Sequence, residues 1–163
     1  MGRSAIKDSD REELAEFVKR YWHSTVVMSR GKKFYPHKEQ GFLERRDGKV
    51  AGLLTFHVED DAMEILTLNS TLEGERIGSS LMLDAIDHAR ATGCKRICLT
   101  TTNDRLRAIG FYQRLGFRMV ALNLGVVDEA RKAKPEIPLT GERGVPIHDE
   151  VVMELLVEPY LET

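Results

Sequence analysis

The chain has 163 residues, 42% of them apolar and 31% charged, with a net charge of −2. That is enough chain for one domain with its own core. The near-zero balance supplies no global basic field for nucleic acid, and no apolar run approaches the ~20 residues of a membrane span. The two cysteines, Cys94 and Cys98, are too few for a disulfide framework and form no metal-type pair of pairs. We therefore expect no nucleic-acid partner, no membrane and no bound metal. The first residues carry neither a signal-peptide core nor a myristoylation pattern, so the expected location is cytoplasmic, with both thiols reduced.

In chain order, Ser9-Asp10-Arg11-Glu12 reads as a capping box, and Leu14, Phe17, Val18 and Tyr21 follow at helical spacing as far as about Trp22. Ser24 to Gln40 reads as a short extended piece and a loop. Its basic cluster, Arg30, Lys32, Lys33 and His37, suits an acidic substrate or a phosphate, although a solvated loop is the commoner outcome. Gly41 to Arg46 and Lys49 to Val58 read as strands joined by Asp47-Gly48, a strong hairpin signal. Glu59-Asp60-Asp61 is a second turn, and Met63 to Leu68 a third strand. A loop with Gly74 and Gly78 then enters an amphipathic run in which Ile77, Leu81, Met82, Ala85, Ile86 and Ala89 share one face.

Gly93 is placed to end that helix. Arg96 to Thr101 is the next strand, with Ile97 and Leu99 on one face. Strand, helix and returning strand imply a parallel pair with a right-handed crossover, and ligands favour the carboxyl ends of such strands. Asn103 stands where a helix could start. Ala108, Phe111, Tyr112 and Leu115 then align on one face, and Gly116 closes the helix. A strand over Phe117 to Leu124, a short helix over Val127 to Ala133, a loop from Pro135 to Pro146 and a strand over Val151 to Val157 complete the chain. No linker, repeat or low-complexity segment interrupts it, so we read residues 1–163 as a single domain.

A strand ending in a glycine-containing loop at a helix start is a ready anion site, because the first helical N–H groups lack intrahelical partners. Alone that is a weak signal. Combined with Asn103, Ala108, Phe111, Tyr112, Gly116 and Phe117 in this order and separation, it resembles the GCN5-related N-acetyltransferase (GNAT) superfamily, and an uncharacterised bacterial branch within it. The family's donor loop reads Gln/Arg-x-x-Gly-x-Gly/Ala. Here Glu73 and Arg76 stand at the first position and the first glycine, and Gly78 matches the last.

The resemblance implies an α/β (α+β) fold: a mixed, mostly antiparallel twisted sheet of about six to seven strands with about four helices, and an acetyl-CoA cleft between two splayed parallel strands. It implies an acyl-CoA-dependent N-acetyltransferase with acetyl-CoA as co-substrate and a primary amine, on a small molecule or a protein, as acceptor. The backbone of Gly74, Glu75, Arg76, Ile77, Gly78 and Ser79 would hold the pyrophosphate. Backbone donors near Thr67 and Leu68 would polarise the acetyl carbonyl. Asn103 would contact the pantetheine arm or cap its helix. Tyr112 would protonate the departing thiolate, against the bland alternative of a rim tyrosine. Glu64 is the first choice of base, a surface strand position being an equal reading, and His57 is the second. With no cysteine in the donor motifs, direct attack in a ternary complex is expected. The rival reading is a non-catalytic acyl-CoA-binding or regulatory module. A homodimer is compatible with the sequence, which is silent on both acceptor and oligomeric state.

Overall fold

The computed structural model describes residues 2–22, 24–29 and 32–158. Its strands are β1 (Gly2–Ala5), β2 (Val27–Ser29), β3 (Lys32–Phe34), β4 (Gln40–Arg46), β5 (Lys49–Glu59), β6 (Ala62–Ser70), β7 (Arg96–Thr102), β8 (Arg118–Asn123) and β9 (Glu150–Leu156). The helices are α1 (Arg11–Trp22), α2 (Ile77–Ala91), α3 (Leu106–Arg114) and α4 (Val126–Ala133). A seven-stranded sheet has the order β1-β4-β5-β6-β7-β9-β8, and β2-β3 form a separate hairpin. The chain divides into two compact units, Met1–Ile97 with Val157–Thr163, and Cys98–Leu156.

In the first unit, β1, β4, β5 and β6 form an antiparallel meander. Asp47 and Gly48 both take positive φ, 53° and 76°, as a two-residue hairpin with matching twist requires. On one face, Leu14, Phe17 and Val18 of α1 pack with Leu43, Val50 and Leu53, and Ile6 joins them. On the other face lies α2, whose buried residues are the six of the predicted stripe. Gly52 makes that seat: a Cβ there would fall 2.3 Å from Cγ2 of Ile77 and 3.1 Å from Cδ1 of Leu81. The first turn of α2 therefore rests directly on the β5 backbone.

Several expectations are corrected in this unit. Ser9 does not open α1. A 3-10 turn over Asp8–Asp10 precedes the helix, and the Asp10 carboxylate accepts from the Lys7 N–H at 2.8 Å. Tertiary pull decides this, because Asp10 is also held by Arg45 at 2.9 Å. β1 has no sequence signal, being short and polar, and forms because β4 offers its edge. After α1 the expected short extended piece is β2, and the expected loop contains its partner β3 and a 3-10 turn at Pro36–Lys38. Within its basic cluster, Lys32 pairs with Glu59 at 3.1 Å, while Arg30 lies outside the described residues. β6 runs two residues past Leu68, to Ser70.

In the second unit β8 pairs antiparallel with β9. α3 starts at Leu106 rather than about Asp104, and its one buried residue is Ile109. Arg105 is its N-cap, without a side-chain cap bond, so Asn103 does not cap it. Asp104 is buried and its Oδ1 accepts from Thr102 Oγ1 at 2.5 Å. That local bond turns the chain between strand and helix. The loop after α4 includes a short 3-10 turn at Glu142–Gly144.

Candidate functional site

The first unit carries Glu64, Thr67, Leu68 and the loop Gly74–Ser79, and the second carries Asn103 and Tyr112. On a regular strand, Glu64 and Thr67 would point to opposite faces. They do not here. Thr55 pairs with Thr67 and Phe56 with Ile65, so Leu66 is an extra residue in β6, and His57 then pairs with Glu64. Thr55 and His57 are two residues apart on β5 and share a face, so their partners share it too. The bulge at Leu66 thus brings the candidate base and the candidate carbonyl-polarising stretch to one side of the sheet. Bulges of this kind re-aim side chains next to active sites.

The side chains on this face are individually held. Thr55 and Thr67 share a buried hydroxyl hydrogen bond of 2.7 Å. Ser29 of β2 donates to Oε1 of Glu64. His57 Nδ1 meets Oε2 of Glu39 at 3.2 Å, and its ring lies 5.1 Å from that of Phe34. Each titratable group therefore has one fixed partner and retains further lone-pair or ring-nitrogen capacity. Ser29 and Glu39 escaped the sequence reading. They sit far from Glu64 and His57 in the chain, and a fold alone brings them together.

The donor loop leaves β6 beside β5, where Thr71 N–H donates to the Ala51 carbonyl at 2.8 Å. Gly74 takes φ 76°. Arg76 caps α2 with φ 56° and ψ 25°, a left-handed conformation. The residue that replaces the motif glycine thus adopts the backbone shape a glycine would favour. Ser80 N–H makes the first helical bond, 3.0 Å to the Arg76 carbonyl. The amides of Ile77, Gly78 and Ser79 precede it and have no intrahelical acceptor, as at any helix start. They suit an anion, aided by the helix dipole. Glu73, Glu75 and Arg76 are exposed.

In the second unit, the Asn103 amide is committed to the segment 146–149. Its Oδ1 accepts from His148 N–H and Asp149 N–H, each at 3.0 Å, and its Nδ2 donates to the Pro146 carbonyl at 2.8 Å. Asp149 accepts from the Gly125 N–H at 2.7 Å, where α4 begins. Burial raises the Glu150 carboxyl above its ordinary range, opposed by a hydrogen bond from Asn123. Tyr112 packs between the rings of Phe111 and Phe117, at 5.4 and 5.8 Å. Burial pushes its phenol upward, against a smaller opposing pull from Arg105. The phenol consequently holds its proton throughout the neutral range. Among the described residues no group of His, Cys, Asp or Glu is arranged to hold a metal ion.

Residues 5–117 match the family model described as the Acetyltransferase (GNAT) family. The uncharacterised protein YxbD of Bacillus subtilis (strain 168) is 34% identical over 144 residues, covering 88% of this chain and 91% of that protein. The ribosomal-protein-S18-alanine N-acetyltransferase of Escherichia coli superposes with a TM-score of 0.69 at 15% identity, over 99% of this chain and 97% of its own. A GNAT family acetyltransferase from Elizabethkingia anophelis with acetyl-CoA bound gives 0.69 at 15% identity, over 96% and 97%. At these identities the two structures speak for the fold, and the family match carries the assignment: this chain belongs to the acetyltransferase (GNAT) family.

Proposed function

We propose that the protein is an N-acetyltransferase that moves the acetyl group of acetyl-CoA to a primary amine by direct attack in a ternary complex. The observation that carries this reading is the bulge at Leu66, which sets Glu64 and Thr67 on one face of β6 within a family-matched chain. The residues fit the donor. The loop presents free amides at the start of α2, and Gly52 lets that start sit against the sheet. A structure of a relative by fold holds acetyl-CoA, which supports the same choice here. The family match runs through most of the first unit and on into the second as far as residue 117, which supports one acetyltransferase domain.

In this reading the backbone of Gly74 to Ser79 holds the pyrophosphate, and backbone donors at Thr67 and Leu68 polarise the carbonyl. Asn103 orders the 146–149 segment beside the pantetheine arm. At pH 7 only about one lysine-type amine in a few thousand is unprotonated. Glu64, with His57 as the second candidate, accepts the amine proton directly or through water. The nitrogen then attacks the carbonyl carbon, the carbon–sulfur bond breaks as the Tyr112 phenol protonates the departing thiolate, and the second proton of the attacking nitrogen leaves through water to restore that phenol. Cys94 and Cys98 are both buried, consistent with packing rather than acyl transfer.

The first test is calorimetric titration with acetyl-CoA, CoA and longer acyl-CoAs, followed by thiol-release assays over an amine panel. Micromolar binding that favours acetyl-CoA supports the donor assignment; no binding at high micromolar donor removes it. The rival, a non-catalytic acyl-CoA-binding or regulatory module, draws on the residues Glu73 and Arg76 that replace the family's usual ones in the loop. Tyr112→Phe separates the two. A true transferase loses at least about tenfold in turnover, as expected of a general acid, while donor affinity stays level.

A further inference from the structure

Arg45 and Arg46 are neighbours in β4 with opposite fates. The Arg45 guanidinium is held on the α1 face by two carboxylates, bonded to Glu13 at 2.7 and 2.9 Å and to Asp10 at 2.9 Å. Arg46 points the other way. The register pairs Glu44 with Gly52, whose Cβ position meets Ile77, so Glu44 and Arg46 lie on the face that seats α2. There Arg46 Nη1 makes one long hydrogen bond, 3.4 Å, to Oε2 of Glu75 in the donor loop. Its Nη2 lies 3.1 Å from Oε2 of Glu44, an oxygen that gains no aligned hydrogen bond although it is buried. Glu44 is only 8% exposed at its side chain, so it anchors the guanidinium from below. Lys49, directly across from Arg46 in the register, adds a second cation to the same face.

A guanidinium so placed keeps N–H donors to spare, and planar two-point pairing with phosphate is what this group does best. The loop beside it needs such a cation, because Glu73 and Glu75 bring negative charge to a phosphate site. We propose that Arg46 is a donor-phosphate residue, held at the loop by Glu44 and parked on Glu75 until a phosphate of the acyl donor displaces that carboxylate. This rests on the proposed use of acetyl-CoA.

The test is calorimetric titration of the full chain with acetyl-CoA across a series of sodium chloride concentrations, for the wild type, Arg46→Gln, Arg46→Lys and Glu75→Gln. Thermal melts confirm that each variant is folded. Arg46→Gln should weaken binding about tenfold and flatten the salt dependence by about one charge, since a lost phosphate contact removes its share of the slope. Arg46→Lys should recover part of the affinity. Glu75→Gln should tighten binding about two- to fivefold, because it frees the guanidinium beforehand. A strut that only braced the loop would make Arg46→Gln and Glu75→Gln weaken binding alike, with unchanged salt slope, and that result overturns the proposal. So does wild-type affinity in Arg46→Gln, while the donor assignment then stands. A wild type that fails to bind acetyl-CoA overturns the donor assignment itself.

Discussion

Replacing Arg76 by glycine should stabilise the protein. Arg76 holds φ 56° and ψ 25°, a shape that costs an L-residue about 1–2 kcal/mol. Nothing offsets that cost, since its exposed side chain makes no hydrogen bond or ion pair among the described residues. Glycine removes the steric penalty but returns about 0.5–1 kcal/mol through the greater freedom of its unfolded chain. The net gain is about 0.5–1 kcal/mol, or roughly 1–4 °C in Tm for a chain of this size. Arg76→Ala is the control: it removes the same side chain beyond Cβ and keeps the penalty, so it should melt at or below the wild-type temperature. Urea unfolding of the three proteins, with unchanged slope, measures the difference directly. If glycine is no more stable than alanine at this position, the left-handed assignment is wrong, and with it the claim that an arginine here preserves the loop's backbone shape.

Gly52→Ala should cost about 1–3 kcal/mol, the range of an overpacked site, because its Cβ meets Ile77 at 2.3 Å; a lower urea midpoint and weaker acetyl-CoA binding should appear together. Asn103→Ala frees two amides and a carbonyl of the 146–149 segment, so amide exchange at His148 and Asp149 should accelerate with a stability loss of about 1–3 kcal/mol. The Lys7 backbone N–H, with help from Arg45, holds the Asp10 carboxyl below its ordinary 3.8. Asp10 therefore contributes stability that is complete above that ordinary value and disappears as pH falls through the lowered one. Asp10→Asn keeps an oxygen acceptor for the Lys7 N–H but loses the charge pairing with Arg45, so it should lower stability at pH 7 by about 0.5–1 kcal/mol and flatten the loss between pH 5 and pH 2 in denaturant titrations.

Periodicity was enough to place most elements. The apolar stripe of α2 matches its buried residues one for one, because a 3.6-residue repeat states which face meets the core. Asp47-Gly48 marked the β4-β5 hairpin for a backbone reason, the need for positive φ. The loop entering α2 and the helix carrying Tyr112 were legible as local structure, since their residue types and spacings travel together along the chain. Tertiary structure decided what depends on partners distant in sequence. β1 exists only against β4, and Asp10 turned from a helix residue into a cap because Arg45 stood opposite. Asn103 was given to the 146–149 backbone rather than to a helix start. The bulge at Leu66 carries no residue signature, for an extra residue in a strand shows only in the pairing register. It reverses the alternation that sequence alone would impose and puts Glu64 with Thr67. The conformation of Arg76 belongs to the same class: residue preference argued against a left-handed arginine, and the turn into α2 holds one all the same.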